Sequence, residues 1–578
     1  MPAQTTPTPV AHGVLNFRII VDDVEISTSF YSIKSILVIR ELNKIPFARI
    51  VMDDGSAALM DFPASNEDRF IPGKKIEIHA GFGDNTSAIF KGVIHKHSIQ
   101  IKITSGPQLI VECRDEAVRL TLNHNSRYFE NMKDSEAIQQ ILDEFGLSMV
   151  LEQTNVTHKE IVQYHCSDWD FIVSRADANG MFVFADNGFV KMQTPVHTAP
   201  PSLLLTFGSN MLEFDAEMDS RYQFGHCEVK SWDASGGVVR TDVLKDEKMR
   251  EPGNISGNDL SAQFAYNYII NHEGSPANEA TMEISGARHR RSRLSKIRGR
   301  VRCTGVANVL PNSLIEINGV GDRFNGKAWV SGVRHEIARG LWTTDIQLGS
   351  SHRWFAEENE ITPEPATASL PAIHGLHVGI VTDLEDPDGE FRVKVRMPMI
   401  SMSDEGVWCR VATLDAGNNR GTFFRPEIGD EVVLGFFDDD PRYPVVLGMM
   451  HSGKNASPLT PANANDEKGL VTRSGMKMIF DDQKKSFMLQ TPAGKKIIID
   501  EQGKQFLLAD EHGNRIEMNP DGMTIKSRGT LTLSGGTVSI SGGGISVKGS
   551  DVKIEGSGSA ELKSGGVVTV QGALVKIN

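Results

Sequence analysis

The sequence predicts a mainly β protein in three successive parts, and three observations predict it. From about 523 to 578 there is no Trp, Tyr or Phe, and Gly and Ser alternate with paired β-branched or Leu residues. Between 371 and 450, apolar runs at 391–397, 407–412, 431–437 and 445–449 alternate in strand fashion around an Asp388, Gly389 turn. The first 350 or so residues are mostly strand-like, with a few helices whose caps can be read.

Residues 1–360 form the first part. One helix begins near Asp134, sets Ala137, Ile138, Ile141, Leu142 and Phe145 on one face, and stops at Gly146, where a left-handed residue ends a helix at no steric cost. A second begins at Ser167, whose hydroxyl and the Asp170 carboxylate make a capping-box variant, and runs through Phe171, Ile172 and Ala176 to Gly180. A third is expected over about 260–271. The Pro-containing stretch ITPEPATASL (361–370) reads as a linker. Five or so strands within 371–451 then fit a small OB-type barrel. A second linker, SGKNASPLTPANAND, covers 452–466. A transitional region follows over 470–518, with strand-like runs at 476–480 and 496–500, and it belongs with the last part, 467–578.

In that last part apolar pairs recur every seven or eight residues. A coiled coil has the same period but spaces its apolar residues at i and i+3. Here they stand at i and i+2, which is strand alternation, with Gly-Gly, Gly-Ser or Lys-Ser-Gly turns between. The expectation is a β-solenoid or β-prism. A narrow single-chain coil leaves strand edges unpaired and apolar pairs unsealed, whereas three intertwined copies close both. The expected trimer core is Leu531, Leu533, Val538, Ile540, Ile545, Val547, Val552, Ile554, Leu562, Val568, Val570, Val575 and Ile577.

Composition narrows the function classes. The 578 residues allow three or four domains, and 39% hydrophobic with 23% charged residues is globular usage. With 60 basic and 74 acidic side chains, the net charge of -14 opposes non-specific wrapping of nucleic acid or anionic lipid. Nowhere do 18 consecutive apolar residues occur, and the N-terminus lacks a positive-then-apolar signal pattern. Folding in the cytosol is expected. Cys113, Cys166, Cys227, Cys303 and Cys409 are widely spaced and never in a C-x-x-C pair, so neither a disulfide framework nor a zinc ribbon is expected.

No motif calls for catalysis. GDRFNGKA (321–328) approaches a phosphate-binding loop but ends in Ala328 where a hydroxyl would hold magnesium, and a strand pattern follows it instead of a helix. It reads as a turn. His95 and His97 share one face of a strand without a third ligand nearby, and the acidic group at 386–390 lacks calcium-loop spacing. The densest charge is HRRSRLSKIRGRVR (289–302). It lacks interleaved aromatics for base stacking, so Arg290, Arg291, Arg293, Lys296, Arg298 and Arg300 are expected to dock an acidic partner surface.

The barrel residues FRVKV (391–395), WCRVA (408–412), PEIGDEV (426–432) and DPRYPVVLG (440–448) resemble the OB domain of VgrG-type spike proteins. SDWDFI (167–172), ANGMFVF (178–184) and GVGDRFNG (319–326) resemble the tail-hub domain of the same family. That resemblance implies two β-barrel subdomains in 1–360 and a structural spike of a contractile injection system, related to phage tail hub and needle proteins. It also implies a homotrimer whose partners are a hexameric inner-tube protein, baseplate proteins and a PAAR-like tip protein at the C-terminal end, with transient contact with a target membrane. Neither nucleic acid, cofactor, metal nor catalysis is part of the expectation, and the short 452–466 linker is expected to leave no room for a fused effector. Phe62, Pro63, FIPGK (70–74) and the basic strip from Arg290 to Arg302 resemble extracellular phage-tail-like particles more than type VI spikes. A β-helical carbohydrate-active enzyme and a passive fibre or adhesin are the alternatives.

Overall fold

The computed structural model describes residues 13–27, 30–244, 249–274 and 276–577. Two compact units divide between Thr367 and Ala368.

The first unit is organised on a 13-stranded sheet. One apolar core, including Ile36, Ile50, Ile78, Phe90 and Val111, is built from the strands between Leu15–Val21 and Gly106–Arg114. A second, including Leu205, Val301, Ile315, Val330 and Ile346, comes from the strands between Leu203–Thr206 and Leu341–Leu348. The two β regions join edge to edge where Gly326–Ala338 pairs antiparallel with Ile33–Glu41. Between them in sequence, α1 (Asp134–Glu144) and α2 (Asp168–Ala178) close a third core around Ile138, Leu142, Phe171 and Ile172. The Ser167 hydroxyl accepts from the Asp170 amide at 3.1 Å, the expected cap. α3 is Gly257–Phe264, shorter than the expected 260–271. Ala265 turns left-handed at φ 47° and the chain leaves as the strand Tyr268–His272.

α4 (Asn278–Leu294) has no counterpart in the sequence expectation. Its buried residues are mostly polar: Thr281, Ser285, His289, Arg291, Ser292 and Arg293. An apolar stripe is what reveals a helix in sequence, and α4 has none.

In the second unit, His377–Asp383, Val393–Arg396, Val407–Val411, Pro444–Met449 and Glu431–Phe436 close a barrel in that order. Val381, Val393, Val395, Cys409, Val432, Leu434 and Val446 fill it. Gly389 takes the positive φ (70°) that the first hairpin turn requires.

Seven strands follow as one antiparallel meander: Glu467–Val471, Lys477–Asp481, Ser486–Gln490, Lys496–Asp500, Gln505–Ala509, Arg515–Asn519 and Gly522–Lys526. The expected transitional region is therefore a complete sheet. It is a tandem repeat of 19 residues, counted from Thr472 to Thr491 to Asp510. Each repeat opens with the same turn: the amides of Thr472, Thr491 and Asp510 donate to the carbonyls of Met476, Lys495 and Asn514 at 2.9, 2.9 and 3.1 Å. Gly475, Gly494 and Gly513 supply positive φ at matching positions. On the opposite edge, Asp481 and Asp500 each accept from an amide three residues on, at 2.9 and 2.6 Å.

Beyond Lys526 the expected strands are not present: among the described residues 527–577, none belongs to a hydrogen-bonded strand. Only about three residues stand between successive Gly-rich turns there, at the lower limit of strand length.

Candidate trimer interface

Register in the seven-stranded sheet sorts its side chains into two ladders on one face. Phe480, Phe487, Ile499, Phe506, Met518 and Met523 stand in successive register. Two residues along each strand, and hence on the same face, Leu470, Met478, Leu489, Ile497, Leu508, Ile516 and Ile525 form the second. From Lys477–Asp481 onward both ladders are apolar, the first strand placing Lys468 in register with Phe480, and the Phe480 and Phe487 rings meet at 5.1 Å. This face is uncovered in the single chain: Phe480 is 46% exposed, whereas Ile479, one residue away on the other face, is 8% exposed. That other face carries Lys477, Gln490 and Lys496 in register on one side of Ile479, Met488 and Ile498, with Asp481, Ser486 and Asp500 on the other.

A groove of about 700 Å³ runs along the uncovered face, lined by Leu489, Ile497, Leu508, Ile516, Ile525 and Leu531. Leu531 carries the apolar surface into the tail. The thirteen tail residues expected to form the trimer core are all exposed in the single chain, from 46% at Val575 to 90% at Ile577. The sheet residues were missed in sequence because charged turns separate them. The signal was there: Met478 and Phe480, Phe487 and Leu489, Ile497 and Ile499, Phe506 and Leu508, and Ile516 and Met518 are i, i+2 pairs like those of the tail.

The basic strip is corrected by the structure. Most of it is neutralised inside the first unit and does not present a free docking surface. Arg291 pairs with Asp177, donates to the Ser350 hydroxyl at 2.8 Å and lies 4.2 Å from the Phe182 ring centroid. Arg293 donates to Asn258 Oδ1 and the Phe224 carbonyl at 2.5 and 3.1 Å. Arg290 packs its guanidinium against Gly180, which a Cβ would displace. Lys296 is 1% exposed and reaches Glu251 at 2.7 Å and the carbonyls of Pro252 and Ile255 at 2.9 and 2.7 Å. Burial pulls its ammonium below the ordinary lysine range, against the pull of Glu251. Arg298, Arg300 and Arg302 alternate along the strand Ile297–Thr304, facing acidic residues of its neighbours. Arg298 meets Glu217 at 2.7 Å, Arg300 meets Glu213 at 3.0 Å, and Arg302 meets Glu213 and Asp345, each at 2.7 Å. Spacing alone showed the cations; the acids lie about 40 to 90 residues away in sequence.

The near-phosphate loop is structural. The Phe324 and Asn325 amides donate to the Gly321 carbonyl, at 3.1 and 3.0 Å, and its backbone carbonyls accept from Gly253 and Asn254. His97 has both ring nitrogens engaged, by Ser65 Oγ at 2.7 Å and the Phe70 carbonyl at 3.0 Å. Asp386 accepts from Arg392 Nε and Nη2 at 2.9 and 2.7 Å and from three backbone amides, as a turn residue does. Among the described residues, no group of three or more His, Cys, Asp or Glu is arranged to hold a metal ion, and no helix is long and apolar enough to cross a membrane.

Comparison with known proteins agrees with this architecture. The barrel matches the family described as the type VI secretion system/phage-baseplate injector OB domain over residues 377–451. The sheet and the start of the tail match the phage baseplate V C-terminal trimerisation domain over residues 471–546. The spike proteins VgrG1b and VgrG1a of the Pseudomonas aeruginosa type VI secretion system are each 24% identical, over 62% of this chain and over 50% and 58% of their own lengths. The chain thus spans little more than half of these relatives. A 43 kDa prophage tail protein from Shewanella oneidensis superimposes with a TM-score of 0.44 at 12% identity, covering 58% of this chain and 98% of its own. The class is that of VgrG-type spikes related to phage tail hubs. By the match that covers more than half of its length, over residues 11–339, the chain belongs to the family described as the Alg8 N-terminal domain.

Proposed function

We propose that this chain is one of three in the spike of a contractile injection system, and that its work is mechanical. The observation that carries this reading is the pair of apolar ladders left uncovered on the sheet from Lys477–Asp481 to Gly522–Lys526 and continued at Leu531. Thirteen ladder residues on one face exceed what a soluble single chain leaves open, whereas three copies facing inward seal them all. The match to a trimerisation domain supports that stoichiometry. The domain division follows: a hub over 1–360 with two β subdomains, an OB barrel over 371–451 and a needle over 467–578. Two β cores per chain give six per trimer, which suits a hexameric inner tube. Baseplate proteins surround the hub, a PAAR-like tip protein seats on the C-terminal end, and contraction drives the spike into a target membrane. The particle assembles in the cytoplasm and is fired outward. Catalysis has no part in this role: force transmission needs a rigid, fully paired strand network.

The test is mass in solution. Three chains are expected for the wild type, and single chains for Ile497→Asp with Leu508→Asp, because each copy would place two charges in a dry apolar layer, at several kcal/mol per unpaired ion. A folded wild type with single-chain mass would sink the proposal. Electron microscopy of particles assembled with and without the chain tests the larger role, and particles lacking it are expected to have no central spike.

A further inference from the structure

We propose that the outward face of the ribbon formed by His124–Lys133 and Thr157–Ser167 docks a protein of different sequence through a basic, partly apolar segment, with Glu130 and Glu160 holding a lysine or arginine of that segment and Tyr128 and Tyr164 packing against it. This site lies in the first unit and does not rest on the number of chains in the spike.

Register places the groups. The two strands pair with each other and, among the described residues, with no other strand. Alternation turns Phe129 and Ile161 into the core closed by α1 and α2. The opposite face therefore carries Tyr128 in register with Val162, Glu130 in register with Glu160, and Tyr164 two residues beyond Val162. Tyr128 is 77% exposed, Tyr164 70% and Val162 52%. Tyrosine is enriched where proteins meet, and its ring face attracts a cation.

The two glutamates give the charge of the occupant. Like charges directly opposite on a sheet repel. In the other ladders of the first unit, among the described residues, a carboxylate whose register partner is charged faces a cation: Glu77 faces Lys91, Glu112 faces Arg49 and Lys96, Glu316 faces Lys327, and Asp345 faces Arg302 and Arg334. Glu130 and Glu160 instead face each other, and among the described residues neither is in an ion pair. A cation between them replaces one repulsion by two attractions. Beside them opens a cavity of about 270 Å³, lined by Glu160 and Val162 from the ribbon and by Glu283, Ile284 and His272. Its Arg175 and His158 are both engaged by Asp134. The stem of a long basic side chain can lie along Val162 and Ile284 while its charge meets Glu160 and Glu283. The densest cations of this chain are not that occupant, since Arg291, Lys296, Arg298, Arg300 and Arg302 are paired inside the first unit.

Fluorescence anisotropy tests this, with the full-length chain titrated into a labelled peptide of alternating Arg and Val and into the same peptide with Glu for Arg. The Arg peptide is expected to bind, more weakly as salt is raised, and to slow hydrogen exchange at 124–133 and 157–167; the Glu peptide is expected not to bind. Glu130→Gln with Glu160→Gln, and separately Tyr128→Ala with Tyr164→Ala, are each expected to weaken binding at least tenfold. Asp84→Asn with Asp143→Asn, which removes as much charge from exposed sites off this face, is expected to change it less than twofold. Glu160→Lys is expected to abolish binding and raise the thermal midpoint by about 1–2 °C, because it restores an opposite-charge pair. Equal weakening by the two charge-removing pairs would reduce the attraction to net charge and overturn the proposal, as would no binding, protection confined to other segments, or a lowered midpoint in Glu160→Lys. A smaller solution mass for Glu160→Lys than for wild type would overturn the choice of occupant, because the face would then be covered by another copy of this chain.

Discussion

Asp134, at the first turn of α1, is 1% exposed and accepts from Arg175 Nε and Nη2 at 2.5 and 3.0 Å, from His158 Nε2 at 3.1 Å and from Asn179 at 2.9 Å. Burial works to raise its pKa, but the hydrogen bonds from His158 and Arg175, with the Arg175 charge, hold the carboxyl well below the usual carboxylate range. A depressed folded pKa means the contribution is full above the ordinary value of 3.8 and drains away as pH falls below it. Replacing Asp134 by Ala is expected to cost the first unit roughly 3 kcal/mol near neutral pH, read from denaturant unfolding, with the difference from wild type shrinking below pH 4. His335 titrates in a different window. Its ring is fully buried, Nδ1 meets Thr344 Oγ1 at 3.0 Å, and burial, with Arg40 adding to it, pushes its pKa down to about 3. The unfolded chain gains a proton near 6.5 and the folded chain does not, so stability is expected to decline from pH 6.5 towards 3. His335→Leu removes that slope if burial is its origin.

At the level of elements, legibility followed locality. α2 was readable because its cap, Ser167 and Asp170, lies within four residues, and the barrel because Asp388 and Gly389 make its first turn on the spot. α4 was unreadable because its buried face is polar and is compensated from afar: Arg291 meets Asp177, 114 residues away in sequence. The same distance hid the neutralisation of the basic strip. In the tail the apolar residues were legible in sequence, and among the described residues 527–577 no strand is formed. The repeated turns of the sheet make their own prediction. Gly475, Gly494 and Gly513 have φ of 84°, 97° and 89°, and around Gly494 and Gly513 a Cβ would meet nothing within 4 Å. The cost of Gly494→Ala or Gly513→Ala is therefore conformational, about 1–2 kcal/mol each. Equal destabilisation at both, measured by thermal unfolding, is expected of copies of one turn, and unequal values would mean that the turns differ in their strain.

For the whole molecule, the repeat has a mechanical meaning. Each 19-residue unit adds one turn on each edge and two strands, and neighbouring strands are about 4.8 Å apart. Duplicating residues 491–509 is expected to lengthen the sheet by roughly 10 Å without disturbing register, because the new unit meets its neighbours through the same two turns. Deleting them shortens it by the same step. In the proposed spike, reach is consequently quantised: whole-unit gain or loss would change its length in fixed steps, whereas insertions of other lengths would turn the greasy side outward.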